Sequence, residues 1–197
     1  AVVMDDARAL FDASDVVIDF TVPAATAAHA ALAFDTQTAM VIGTTGLSPE
    51  QQSAVQGGSE TAAIVQAGNM SLGVNLLVGL ARQAADLLGP DYDIEIVEMH
   101  HKHKIDAPSG TALMLGKAAA EGRGIDHDAN AVLSREGHTG ARPDQAIGYA
   151  TLRGGDVVGD HTVIFAGPSE RVELTHRASS REIFARGAVR AAMWCEG

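Results

Sequence analysis

In Met40-Val41-Ile42-Gly43-Thr44-Thr45-Gly46-Leu47-Ser48-Pro49 an apolar run breaks at a glycine- and threonine-rich turn. It then passes to a serine and a proline suited to the cap and first turn of a helix. The same grammar lies on either side. Upstream, Val16-Val17-Ile18-Asp19-Phe20-Thr21 predicts a strand closed by Pro23 and followed by an alanine-rich helix from Ala24 to Phe34. Downstream, Ala62-Ala63-Ile64-Val65-Gln66-Ala67 predicts a third strand ending at Gly68-Asn69-Met70-Ser71. Short apolar strands alternating with helical spacers point to a parallel sheet with helices on its faces. The polar and flexible residues after each strand then gather at the carboxyl edge, where open α/β sheets take their ligands.

A helix over Leu76–Leu88 stops at Gly89-Pro90, and Tyr92-Asp93-Ile94-Glu95-Ile96-Val97-Glu98 alternates as a half-buried strand does. Beyond it the texture changes. Ile147–Arg153, Val157–Phe165 and Arg171–His176 are separated by glycine-rich turns and predict an antiparallel or mixed sheet. Residues 1–70 therefore read as one domain, 71–180 as a second, and 181–197 as a segment whose helix, over Ile183–Trp194, returns to the first.

The chain of 197 residues is 46% hydrophobic with only 4% aromatics, which suits a folded core of Ala, Val, Leu and Ile. Its 25 acidic against 14 basic residues disfavour nucleic acid or an anionic membrane as partner. The single cysteine excludes an internal disulfide and fits a reducing compartment, and no apolar run is long enough for a transmembrane helix. A cytoplasmic location is the expectation.

Against this acidic background, His100-His101-Lys102-His103-Lys104-Ile105-Asp106-Ala107-Pro108-Ser109-Gly110-Thr111 concentrates basic side chains just before a helix start. Ser109 can cap that helix, and Gly110 and Thr111 can present first-turn N–H groups to a carboxylate. Imidazole and ammonium groups beside them can donate a proton near neutral pH. The bland alternative is a solvated basic loop before an ordinary capped helix. Three nearby histidines also suit a metal in principle, but Lys102 and Lys104 oppose gathering a cation there, so no metal is expected. His127, His138, His161 and His176 carry no spacing signal and read as packing, surface or supporting residues. Gly43-Thr44-Thr45-Gly46 and Ala67-Gly68-Asn69-Met70 read either as turns or as cofactor loops, and no G-x-G-x-x-G turn accompanies them. Arg181 reads as a carboxylate clamp or as a surface ion pair. Asp19 reads as a buried hydrogen-bonding group rather than a catalyst.

These stretches, together with Asn69-Met70-Ser71-Leu72-Gly73-Val74-Asn75, Ser134-Arg135-Glu136-Gly137-His138-Thr139-Gly140, Arg153–His161 and His176–Arg181, resemble the dihydrodipicolinate reductase family, also described as 4-hydroxy-tetrahydrodipicolinate reductase. The resemblance runs through essentially the whole chain. It implies an α/β protein with a Rossmann-like nucleotide-binding domain and an α+β substrate and tetramerisation domain built on a mixed sheet. It implies reduction of 4-hydroxy-tetrahydrodipicolinate to tetrahydrodipicolinate by NADPH or NADH, with loss of water, in lysine and diaminopimelate biosynthesis, by a homotetramer. By resemblance, His100 is the general acid and Lys104 the second catalytic basic residue, which either donates a proton or stabilises the anionic substrate and transition state. His101, Ser109, Gly110 and Thr111 bind the dicarboxylate. Gly43, Thr44, Thr45, Ala67, Gly68, Asn69, Met70 and Arg181 face the cofactor. Where this chain has Met70, phenylalanine is common in the family, which exchanges an aromatic contact for a thioether.

Members of the family begin with a strand, a G-x-x-G-x-M-G phosphate loop, a helix and a second strand, none of which precedes Ala1. The expectation is therefore a nucleotide-binding domain missing its amino-terminal part, with poor dinucleotide binding, an exposed sheet edge and weak turnover when isolated. A noncatalytic ligand-binding or assembly fragment is the alternative reading, and preference between NADPH and NADH is left open.

Overall fold

The computed structural model describes residues 3–195 and divides the chain into two compact units, residues 1–70 with 184–197, and residues 71–183. In unit 1, α1 (Ala7–Asp12) leads to β1 (Val16–Asp19), α2 (Pro23–Thr36), β2 (Ala39–Ile42), α3 (Pro49–Gly58) and β3 (Ile64–Gln66). The strands run parallel in the order β1-β2-β3, with Val17 opposite Met40 and Met40 opposite Ile64. Ser48 caps α3 with its hydroxyl on the Gln51 N–H, while the Gln51 side chain accepts from the Ser48 N–H. This reciprocal box and Pro49 fix where the helix begins.

Helices cover both faces of this sheet, as parallel strands require. Phe11, Val17, Ala30, Ala33, Met40, Ile42, Val55 and Ala62 form the core on one side. On the other, Val41 and Met70 pack with Ala188 of α7 (Glu182–Cys195). That helix comes close because residue 187 is glycine: a Cβ there would lie 1.7 Å from the Met70 carbonyl oxygen.

In unit 2, α4 (Leu72–Leu88) precedes β4 (Asp93–His100), α5 (Gly110–Arg123), the single turn α6 (His127–Asn130), β5 (Ala131–Val132), β6 (Ile147–Arg153), β7 (Gly159–Gly167) and β8 (Glu170–Ala178). The sheet has the order β5-β6-β4-β7-β8, parallel between β4 and β6 and antiparallel from β4 through β8. Its mixed character follows from the connections: a long excursion through α5 returns the chain parallel to β4, whereas the short turn at Pro168-Ser169 makes a hairpin.

Ile94, Ile96, Ile147, Val163 and Phe165 meet Leu77 and Ala81 of α4 and Leu115 and Ala119 of α5 on one face of this sheet. Each such large side chain contributes about 1.5–3 kcal/mol by leaving water. The alternation of β4 continues two residues past the Glu98 limit expected from sequence. Pairing of Met99 with Leu152 and of His100 with Arg153 extends the ladder, and the Gly154 N–H closes it on the His100 carbonyl at 2.9 Å. His100 is consequently a strand residue on the same inward face as Glu98. Three further limits shift for local reasons. α4 starts at Leu72 because Ser71 caps it through the Val74 N–H, β7 starts at Gly159, and β8 runs on to Ala178. The short elements α1, α6 and β5 carry too little pattern to be read from sequence.

Candidate active site

Four groups converge at the carboxyl end of β4. Glu98, 1% exposed, accepts from both terminal nitrogens of Arg153 at 2.8 and 2.9 Å, and from the Ser109 N–H at 3.0 Å. Its Oε2 also lies 2.6 Å from Nδ1 of His100. Burial would raise the Glu98 pKa, but the arginine fork, the imidazole and the backbone N–H outweigh it and hold the carboxyl below its usual range. The His100 imidazole is held below its ordinary value, first by burial and then by the charges of Lys104 and Arg153, against the opposite pull of Glu98. At pH 7 the unliganded ring is therefore neutral.

His161 sits across the strand pair from Glu98 and meets His100 edge-on, with ring centroids 5.1 Å apart. Ser109 connects it to α5. The Ser109 hydroxyl accepts the Ala112 N–H at 3.1 Å, and its oxygen also lies 3.1 Å from Nε2 of His161, in a hydrogen bond whose direction follows the tautomer of that ring. Burial, followed by the His100 charge, pushes the His161 pKa down to about 4. The sign follows directly. The folded value lies below the ordinary 6.5, so the stabilisation is complete above pH 6.5 and is lost as pH falls toward 4. Urea unfolding followed across this window should lose on the order of 3 kcal/mol in the native chain, and His161→Gln should flatten that slope. An unchanged slope in the folded variant would remove His161 as its cause.

The expected ligand-binding groups surround this cluster. The Ser109 carbonyl takes the Leu113 N–H and its hydroxyl the Ala112 N–H, which places Gly110 and Thr111 in the first turn of α5 beside that cap. Lys104 is half-buried and paired with Asp106 at 2.7 Å, near enough to His100 and His161 to act on both charges. His101 is partly buried, and its Nδ1 is buried without a partner. Unit 2 thus brings His100, His101, Lys104, Ser109, Gly110 and Thr111 onto one loop and one helix start. Glu98, Arg153 and His161 join them, none of which the sequence reading selected. Alternation along β4 was the one available signal, since it places Glu98 beside His100.

The loops of unit 1 present a different chemistry. Gly43-Thr44-Thr45-Gly46 follows β2, and Ala67-Gly68-Asn69-Met70 follows β3, both at the carboxyl edge. A Cβ at position 43 would fall 2.1 Å from the Phe20 ring, so this loop stays free of side chains where it passes that ring. Thr45, Gly46 and Gly68 are exposed. Two of the expected cofactor residues have buried side chains. Thr44 is buried, its hydroxyl accepting the Thr21 N–H at 3.0 Å and donating to Asp19 at 3.3 Å, so only its backbone is available. Met70 is 5% exposed in the cluster with Val41 and Ala188, which leaves its thioether no face for a ring. Asp19 is a buried acceptor for Thr21 and His29, consistent with a structural role. Arg181, in unit 2, is exposed. Among the described residues no three His, Cys, Asp or Glu side chains are grouped to hold a metal ion, and no helix is long and apolar enough to cross a membrane.

A parallel sheet with bare loops at its carboxyl edge, in one chain with a mixed sheet carrying an acid–base cluster at a helix start, defines a two-part α/β enzyme. Residues 1–70 match the model described as "Dihydrodipicolinate reductase, N-terminus", and residues 73–197 match "Dihydrodipicolinate reductase, C-terminus". The chain belongs to the dihydrodipicolinate reductase family, which is a family of oxidoreductases. It is 58% identical to the 4-hydroxy-tetrahydrodipicolinate reductase of Methylocella silvestris over 193 residues, spanning 98% of this chain and 71% of that protein. Its likeness to the enzyme of the same description from Brucella abortus is 55% over 196 residues, with 99% and 73% covered. The solved "Dipicolinate bound Dihydrodipicolinate reductase" from Paenisporosarcina sp. TG-14 superposes with a TM-score of 0.73 at 27% identity, covering 92% of this chain and 68% of that one.

Proposed function

We propose that this chain reduces 4-hydroxy-tetrahydrodipicolinate to tetrahydrodipicolinate with loss of water, a step toward diaminopimelate and lysine. The observation that carries the reading is the cluster on β4 and at the start of α5: a buffered imidazole, a lysine and first-turn N–H groups in one place. Gly110, Thr111 and the Ser109 cap hold one carboxylate of the substrate at the positive end of α5, with His101 beside it. Lys104 neutralises ligand charge and His100 delivers a proton to the nitrogen on which charge develops.

When bound, a nicotinamide cofactor supplies the hydride. Gly43, Thr45, Ala67, Gly68 and Asn69, the Thr44 and Met70 backbone, and Arg181 are the groups of this chain that would hold it. Their fit rests on the side-chain-free approach past Phe20 and the exposed glycines of both loops. Either NADPH or NADH is compatible with these residues. Freshly generated substrate mixed with each nucleotide should give oxidation that depends on the substrate and is inhibited by dipicolinate. Oxidation indifferent to both compounds would contradict the reading.

Assembly as a homotetramer is part of the same proposal. Val97, Met99, Ile164 and the half-exposed Leu152 lie on the sheet face of unit 2 opposite α4 and α5, as an interface of paired sheets would use. A cytoplasmic location is proposed with it, supported by the chain's single, free cysteine.

A further inference from the structure

Glu98 has more invested in it than any role so far assigned requires. It is a buried carboxylate with four donors around it, reached from three elements: Arg153 at the end of β6, the Ser109 N–H at the cap of α5, and His100 two residues along β4. Guanidinium and amide N–H groups can only donate, and an ionised carboxylate can only accept. The remaining contact, to Nδ1 of His100, therefore needs its hydrogen on Nδ1.

We propose that Glu98 is a positioning residue for the reduction: clamped by Arg153 and the Ser109 amide, it keeps the proton of neutral His100 on Nδ1 and leaves Nε2 to take up and hand over the catalytic proton. The proposal rests on the reading of His100 as the acid. The proton comes from solvent and goes to the substrate nitrogen through Nε2, while Nδ1 keeps its own. The surroundings of the ring agree with this division. At Gly159, the first residue of β7, a Cβ would lie 2.9 Å from Nε2 of His100, so glycine there leaves no side chain against that nitrogen. His161 cannot compete for it, because its own Nε2 is engaged by Ser109. The charged and titratable groups facing His100 are thus Glu98 on its own strand, Arg153 from β6, His161 from β7 and Lys104, with Asp106 bound to it, from the following loop. Glu98 is the one whose contact selects between the two ring nitrogens.

Substituting Glu98→Gln exposes the mechanism, because an amide has one accepting and one donating end. Two groups that can only donate, the Ser109 N–H and Nη2 of Arg153, meet at Oε1, against one, Nη1 of Arg153, at Oε2, so the amide oxygen belongs at Oε1 and the NH2 group turns to His100. That NH2 can only donate to Nδ1, which forces the hydrogen onto Nε2. The same logic makes a carboxylate-to-amide exchange behind a catalytic histidine trap the wrong tautomer.

The test is side-chain nitrogen NMR of the full chain with labelled histidine, its His100 signals assigned from their absence in His100→Gln. The native chain is expected to show a protonated Nδ1 and a bare Nε2 on His100, and Glu98→Gln the reverse. Turnover should fall about 100-fold or more, with dipicolinate affinity within about three-fold of native. The fall of activity with rising pH should also move to lower pH, since the negative charge that favours the imidazolium has gone. A native chain with its hydrogen on Nε2 overturns the proposal, and needs no variant. So does a folded Glu98→Gln with the native tautomer. Failure of the reductase reading is distinguishable: dipicolinate would then leave the His100 signals of the native chain unmoved, whatever the tautomer.

Discussion

His100→Gln is expected to lower kcat by about 10²–10⁴-fold, the range that positioned proton transfer supplies. Glutamine preserves much of the side-chain volume and can still donate an N–H to Glu98, so the folded chain should keep its unfolding midpoint nearly unchanged. What it lacks is a nitrogen that gains and releases a proton in the working pH range. Dipicolinate affinity should change far less than kcat, because the carboxylate-binding N–H groups of α5 and the Lys104 ammonium remain. Nicotinamide oxidation in the presence of substrate, with competition by dipicolinate, separates the two quantities. A folded variant with native turnover would remove His100 from proton delivery.

The second large effect is on stability. Arg153→Ala removes a two-pronged partner from a carboxylate that is 1% exposed, and breaking such a buried pair costs about 3–5 kcal/mol. The pH dependence then shifts. In the native chain the Glu98 pKa is depressed, so its contribution is present above the ordinary carboxyl value of 4.5 and is lost as pH falls through the lower folded value. Without Arg153 the largest contact that lowers the Glu98 pKa is gone and burial is less opposed, so the folded value should move up and the stability that depends on it should be lost at higher pH than in the native chain. Urea denaturation of both proteins from pH 4 to pH 8 checks the magnitude and the slope. Parallel curves would show that Arg153 does not govern the charge of Glu98.

Much of the fold is written locally. Three strand–turn–helix units are legible because valine and isoleucine runs end in glycine and threonine, and because Ser48-Pro49 and Ser109 carry capping chemistry in adjacent residues. The strand order of unit 2 is another matter. Placing β4 between β6 and β7 depends on pairings distant in sequence, which no local pattern encodes. The same division holds at the site. His100, Lys104 and the first turn of α5 fall within twelve residues and announce themselves by charge and cap. Glu98 was hidden because an acid at an inward position makes sense only with its partner, and Arg153 lies 55 residues further on. His161 carries no local signal because its partner Ser109 lies 52 residues away in sequence. Thr44 and Met70 also follow strands, but position in sequence does not encode that the Thr44 hydroxyl bonds Asp19 and the Met70 thioether packs in the core.

The most direct measurement is a crystal structure of the chain soaked with dipicolinate. One ligand carboxylate should lie within hydrogen-bond reach of the Gly110 and Thr111 N–H groups, with the Lys104 ammonium and Nε2 of His100 around the same molecule. A ligand found elsewhere, with those four groups turned toward separate regions of solvent, would contradict the account.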